Sequence, residues 1–415
     1  MNCPNCGQEN REGATFCDAC GIHLLTTSEP SALPLNPLST SINFVGRQRE
    51  LGELGAVLED ALSGQGRLVM LVGEPGMGKT RTAQELAAYA TSRGALVLGG
   101  RCYAAEGAPP YWPWVQAIRS YIQQSDPERL SSEMGVGASD IAMIVSEVTE
   151  RLPDLESPPA LEPQEARFRL FDSITTFLKR ACQAQPLVVT LDNLHWADRP
   201  SLQLLEFLAQ ELGECPLLVV GTYRDTELTR RHPLTQTLGE VARDPLFQRI
   251  PLRGLSAEEV GRYMEVTSGS TSPQDLIAAV HTQTEGNPLF MTQVVQLLAQ
   301  EGELTSERVA GTPDRRIQIP AGVHEAIGRR MNLLSEKCNQ VLTVASVVGR
   351  EFELRLLERL EEVGSVDPLL EALEEALAAR VIEEVPPAAG RFRFTHVLIQ
   401  NTLALELSAV RQARL

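Results

Sequence analysis

The segment that most constrains this chain is Gly73-Glu74-Pro75-Gly76-Met77-Gly78-Lys79-Thr80. It satisfies GxxxxGK[ST], follows the apolar run Arg67–Val72, and opens the helical pattern Thr80–Ser92. Glycines at those positions let backbone N–H groups curl around a phosphate, and the positive end of the following helix strengthens the field. In such a loop Lys79 reaches the outer phosphates and Thr80 ligates Mg²⁺. The loop from Gly73 to Thr80, with Arg81 after it, is the first candidate binding segment. A bare Gly-rich turn is the bland alternative, and the strand–loop–helix context argues against it.

The rest of the chain fits a sheet built around that loop. Short apolar runs recur at Arg67–Val72, Ala95–Leu98, Leu187–Leu191 and Leu217–Thr222, with Gln248–Leu252 weaker. Each is nearly continuous and not alternating, as in strands covered on both faces. Helical patterns such as Thr80–Ser92 and Pro200–Leu212 lie between them, so the expected class is α/β, a parallel sheet with helices on both faces. Residues 126–165, rich in Pro, Glu and Ser, read as a helical insertion. After Ser256 helical patterns dominate, including Asp367–Arg380 with Leu369, Leu370, Leu373, Ala376 and Leu377 on one face. Val381–Val385 and Arg391–Thr395 then read as a hairpin. The expected organisation is a metal-binding module at 1–24, a flexible linker at 25–42, the P-loop domain at 43–255, a helical lid at 256–318 and a winged-helix-like domain at 319–415.

Eight cysteines divide into two groups. Cys3, Cys6, Cys17 and Cys20 form two CxxC pairs, each followed by Gly, while Cys102, Cys182, Cys215 and Cys338 are scattered in apolar surroundings. Four thiolates in a tetrahedral array select zinc, and the glycines permit the turns that aim N–H groups at sulfur. A pair of redox CxxC motifs is the alternative. The stretch CPNCGQENREGATFCDACG resembles the bacterial zinc ribbon, which implies a structural Zn²⁺ whose binding supplies the folding energy of so small a module.

Leu187–Leu191 ends in Asp192, a carboxylate at a strand end suited to hold Mg²⁺. The next residue is Asn193, where ATPases of this broad class carry Glu or Asp to polarise the attacking water; a neutral amide orients water but does not take its proton. The phrase Leu191-Asp-Asn-Leu-His-Trp-Ala-Asp198 resembles the LDDLHWAD signature of signal-transduction P-loop ATPases with an Orc1/Cdc6-like AAA module, the STAND type. Phe44-Val-Gly-Arg47, Gly221-Thr-Tyr-Arg224, Gly286-Asn-Pro-Leu-Phe290 and Phe394-Thr-His396 extend the likeness across residues 44–415. The resemblance implies that Val45, Gly46, Arg47 and Pro288 border the adenine of ATP or ADP. It makes Thr222 or Arg224 the sensor of the γ-phosphate and places His396 near the diphosphate. Asn193 departs from the pattern, so hydrolysis is expected to be slow or to use Asp198; the catalytic set is Lys79, Asp192, Asn193 and Arg224.

Charge and composition narrow the partners. Lys and Arg number 37 against 54 Asp and Glu, a net charge of −17. Such a chain repels phosphate backbones. The helix 367–380 carries Asp367, Glu371, Glu374 and Glu375, so DNA reading by the winged-helix unit is not expected from this chain alone. Pro110-Tyr-Trp-Pro-Trp114 lacks interleaved basic residues and reads as a local aromatic core. No apolar stretch approaches the ~20 residues of a membrane span, and the expected location is cytoplasmic. The resemblance implies an ATP-dependent switch, protein partners or helical repeats beyond residue 415, and oligomerisation with ATP. A non-hydrolysing nucleotide scaffold and a DNA-binding regulator are the competing classes.

Overall fold

The computed structural model describes residues 44–104, 108–156, 161–300, 304, 327–328, 331–332, 334–360, 366–379, 381–385, 390–407 and 411. The four N-terminal cysteines and the 25–42 linker lie outside the described residues.

Helix α1 (Gln48–Leu62) precedes β1 (Arg67–Val72), the phosphate-loop segment and α2 (Lys79–Ser92). Then come β2 (Leu96–Arg101), α3 (Trp112–Gln124), the short insertion helices α4 (Pro127–Met134), α5 (Ala138–Ala142) and α6 (Glu147–Arg151), and the long α7 (Pro163–Ala184). β3 (Leu187–Asp192), α8 (Arg199–Gln210), β4 (Leu217–Tyr223), α9 (Pro233–Val241) and β5 (Phe247–Pro251) complete the sheet domain. The five strands are all parallel, in the order β2-β3-β4-β1-β5.

Period-two alternation explains why these strands read as unbroken apolar runs. Val69 and Leu71 of β1 face one core with Leu51, Leu54 and Leu58 of α1 and Leu86 of α2. Leu68, Met70 and Val72 face the other, with Trp114, Ile118, Phe177, Leu205 and Leu208. All seven residues of β4 are buried. In the central strand β4 no polar residue precedes Thr222 at the carboxyl end, which is where a doubly covered sheet binds ligands.

β2 extends to Arg101 and does not stop at Leu98, because Gly99 and Gly100 remain extended. A Cβ at Gly100 would lie 2.0 Å from the Pro113 carbonyl oxygen, so glycine there lets α3 pack onto the strand. The Pro110–Trp114 segment forms part of the core: Trp114 is buried and its Nε1 donates to Ser201 O at 3.0 Å. Cys102, Cys182, Cys215 and Cys338 are free, buried thiols.

Beyond β5, α10 (Ala257–Ser268), α11 (Gln274–Thr284) and α12 (Pro288–Gln300) surround Val260, Met264, Val280, Val294 and Val295. A reciprocal cap starts α10, with Ser256 and Glu259 each bonding the other's backbone. Next follow α13 (Glu336–Val348), β6 (Glu351–Glu353), α14 (Leu354–Leu357), α15 (Val366–Ala378), β7 (Ile382–Glu384), β8 (Arg391–Phe394) and α16 (Val397–Glu406). The expected hairpin β7–β8 is joined by β6, giving an antiparallel sheet ordered β6-β8-β7. Leu369, Leu373 and Ala376 of α15 enter that core, but Leu370 is exposed, so the buried stripe is narrower than the sequence pattern. Among the described residues no helix is long and apolar enough to cross a membrane.

Candidate nucleotide-binding site

The register of the central strands assembles the site. Arg101 is level with Asp192, and Thr222 of β4 is level with Leu71 of β1. The carboxyl ends of β3 and β4 therefore meet the loop that leaves β1. Gly73, Gly76 and Gly78 have φ of 157°, 83° and 83°, and Gly78 directly precedes α2.

Lys79 is buried, and its Nζ donates to Gly73 O at 2.7 Å and Glu74 O at 2.8 Å. The loop thus closes on its own lysine. Burial pushes the amine down to about 8; the positive charge of Arg224 adds to this, and Asp225, Asp192 and Glu227 oppose it. A buried cation bonded only to neutral carbonyls is under-compensated, and an anion in the loop would correct that.

Thr80 Oγ1 donates to Asp192 Oδ1 at 2.9 Å, so the hydroxyl and carboxylate stand side by side at the loop's open end. Thr222 Oγ1 donates to the same Oδ1 at 2.6 Å and accepts from Asn193 N at 3.0 Å. Thr222 therefore fixes Asp192 instead of facing the groove. Asn193 is buried with φ 61°, and its Nδ2 donates to Asp192 Oδ2 at 3.4 Å. Asn tolerates that left-handed conformation better than most residues. Arg101 Nε lies 3.6 Å from Asp192 Oδ2.

Arg224 completes the groove. Its guanidinium lies over the Trp196 ring at 5.0 Å and pairs with Glu227 at 2.5 Å. The groove, about 360 Å³, is lined by Pro75, Gly76, Gly78, Lys79, Thr80, Arg81, Asn193, Arg224, Pro288 and Leu289. Arg81 pairs with Glu85 along α2 at 2.6 Å.

Pro288 and Leu289 belong to the start of α12, which roofs the loop. Asn287 Nδ2 donates to Pro75 O at 3.1 Å, and Leu289 N donates to Gly76 O at 3.3 Å. A Cβ at Gly76 would fall 2.5 Å from Asn287 Oδ1, so only glycine admits this approach. On the other side, the Val45–Arg47 segment ties the loop to α10. Arg47 is buried, its N donates to Glu259 Oε1 at 2.8 Å, and its Nη2 donates to Met77 O at 2.9 Å. Burial lowers the guanidinium, and Glu50 and Glu259 counter that. Val45, Gly46 and Arg47 are not among the groove-lining residues; they brace the loop from behind.

Two residues that the sequence singles out make capping hydrogen bonds in this structure. Asp198 caps α8, accepting from Ser201 N at 2.9 Å and Ser201 Oγ at 2.6 Å, so its carboxylate is already committed. His396 caps α16: its Nδ1 accepts from Leu398 N at 3.1 Å and its Nε2 lies 2.9 Å from Thr284 O. The ring packs on Phe290 of α12 and is not among the groove-lining residues, so in this structure it joins the last helix to α11 and α12. Conversely, the sequence alone does not single out Asn287, Glu259, Arg101 or Glu227. Asn287 lies within Gly286–Phe290; the others are single charged residues with no local pattern.

The donor set suits a nucleotide carried with a hard cation. Mg²⁺ is held by one or two protein oxygens plus phosphates, which Thr80 and Asp192 can provide. Among the described residues no denser cluster of His, Cys, Asp or Glu offers a metal cage.

The fold and the phosphate loop define a P-loop nucleotide-binding domain. More particularly, the chain carries an AAA ATPase domain, matched over residues 43–220, with a zinc-ribbon domain matched over residues 2–24. It is 22% identical over 386 residues to an uncharacterized protein of Rhizobium meliloti, a match covering 87% of this chain and 35% of that protein. The chain thus spans about a third of the length of that curated relative. Among solved structures, a Walker-type ATPase of Pyrococcus abyssi aligns with a TM-score of 0.49 and 17% identity, over 85% of this chain and 94% of that one. A signal transduction ATPase with numerous domains (STAND) with a tetratricopeptide repeat sensor, from Pyrococcus horikoshii, aligns at TM-score 0.39 and 15% identity, over 92% and 47%. RuvB of Thermotoga maritima aligns at TM-score 0.37 and 16% identity, over 85% and 93%.

Proposed function

We propose that this chain is an ATP-dependent molecular switch of the STAND type that hydrolyses ATP slowly. The observation that carries the reading is the convergence of Lys79, Thr80 and Arg224 on one groove, with Asp192 bonded to Thr80 beside it and a roof, Asn287–Leu289, that is bonded to the phosphate loop. Lys79 would exchange its loop carbonyls for β- and γ-phosphate oxygens. Thr80 and Asp192 would hold Mg²⁺, and Arg224 would approach the γ-phosphate from the β4 side. Bound MgATP supplies the β–γ phosphoanhydride that water cleaves. Asn193 can orient that water but not accept its proton, which supports a slow timer. Because the lid bonds directly to Pro75 and Gly76, a change in the loop bears on lid position.

The zinc ribbon is proposed to hold one structural Zn²⁺ on Cys3, Cys6, Cys17 and Cys20. Protein partners, oligomerisation with ATP, a role in bacterial signalling or transcriptional regulation and a cytoplasmic location belong to the same proposal. Asp367, Glu371 and Glu374 are exposed on α15, which supports a lid-and-relay role over DNA reading. A second reading, a nucleotide-binding scaffold without turnover, is favoured by Asn193 alone. Extraction of nucleotide from purified protein, with phosphate release measured alongside, separates the two: retained ADP with slow release supports the switch, retained ATP without release supports the scaffold.

A further inference from the structure

Between β4 and α9 a short 3-10 turn, Asp225–Glu227, places a carboxylate at the rim of the groove. Glu227 stands between two groups. Its Oε1 accepts from Arg224 Nη1 at 2.5 Å, and its Oε2 lies 3.5 Å from His195 Nε2. The His195 side chain is fully buried, and neither ring nitrogen has a hydrogen-bond partner. Burial, with the positive charges of Arg224 and Lys79, holds that ring down to about 3, so it is a neutral imidazole. Trp196 borders both, with its ring under Arg224 at 5.0 Å and tilted against His195 at 4.6 Å.

We propose that Glu227 is a positioning residue for Arg224: it holds the guanidinium back in the empty or ADP-bound site, and yields it to the γ-phosphate while turning to His195. The inference rests on the nucleotide reading above. An Arg with one carboxylate partner at a half-open rim gains little from it. A γ-phosphate offers the same fork a doubly charged, bidentate partner. Removing Arg224 from Glu227 would ordinarily strand the carboxylate. Here His195 Nε2, buried and unpartnered, is close enough to take its place by carrying the ring proton, so two unsatisfied groups become one bonded pair. ADP has no γ-oxygen to draw the arginine away and leaves the latch shut. Glu227 would thereby set how strongly the site prefers ATP to ADP. The shift also has an outlet: His232 Nε2 lies 3.1 Å from His195 O, and the same ring caps α9.

The test is calorimetric titration of Mg²⁺ with ATP and, separately, with ADP into the full chain, for wild type, Glu227→Gln, Arg224→Ala and the double variant. Glu227→Gln should bind ATP about threefold more tightly, the scale of a half-exposed ion pair, with ADP unchanged and kcat within tenfold. In the Arg224→Ala background the same substitution should have no effect. Equal shifts for ATP and ADP, or an effect that persists without Arg224, would overturn the latch. So would a hundredfold loss of kcat with unaltered affinities, which would make Glu227 the proton acceptor. Wild type binding neither nucleotide would remove the nucleotide reading and this inference together, whereas normal wild-type binding with no change in Glu227→Gln would remove the latch alone.

Discussion

Substituting Asn193→Asp asks directly whether the missing acid sets the rate of the proposed ATP hydrolysis. Asn193 Nδ2 donates to Asp192 Oδ2 at 3.4 Å, and the residue is buried. The substitution removes that bond and sets two carboxylates at the same separation. At an effective dielectric of about 20, two unit charges 3.4 Å apart repel by roughly 5 kcal/mol. Sharing a proton limits the loss, since protonating an ordinary aspartate of pKa about 3.9 at pH 7 costs about 4 kcal/mol. The nucleotide-free variant should therefore be about 2–4 kcal/mol less stable, and Mg²⁺ with ATP should restore most of that by neutralising the pair. Backbone strain adds little, because Asp accepts φ near +60° nearly as well as Asn. Phosphate release should rise about 10²-fold, the usual scale of a positioned general base. Thermal denaturation with and without MgATP, together with a steady-state phosphate assay, reads both halves. Unchanged turnover in a variant that still binds MgATP would refute the argument that Asn193 limits hydrolysis.

Other outcomes follow from the same geometry. Lys79 sits at about 8 in the folded chain against an ordinary 10.5, so the unfolded chain holds a proton that the folded one has lost. Lys79 should therefore raise stability as pH climbs from about 8 to about 10.5, by at most about 3 kcal/mol. ATP should return that charge, so titrations near pH 8.5 in buffers of different ionisation enthalpy should show proton uptake that Lys79→Met abolishes. Asn287→Ala removes bonds to Pro75 O and Leu289 N at 3.1 Å each from a buried side chain, costing about 1–3 kcal/mol; hydrogen exchange at the start of α12 should quicken and nucleotide should dissociate several-fold faster. Native mass spectrometry should find one zinc per chain, lost in Cys3→Ser without loss of ATP binding.

Much of this arrangement is written in short-range pattern. The strand–glycine loop–helix unit and the buried β3 run ending in Asp192 are local signals, because a phosphate cradle and a doubly covered strand each demand a particular run of residue types. β6 is three residues long and has no periodicity to detect, and β2 continues through two glycines that ordinarily mark a strand's end. Asp198 shows how a local signal is overlooked. Asp198-Arg-Pro200-Ser is an N-cap followed by Pro in the first turn, a helix-start signal legible in the sequence but overlapped by the Leu191–Asp198 motif. The Arg224–Glu227–His195 cluster joins residues across two strands' ends, and only the register of β3 against β4 brings them together.

The most direct measurement is calorimetric titration of MgATP into the full chain beside Lys79→Ala. Saturable binding of one nucleotide per chain, lost in the variant while its fold survives by circular dichroism, is the predicted result. Equal binding by both proteins, or none by the wild type, would contradict a groove in which Lys79 leaves its own loop to hold phosphate.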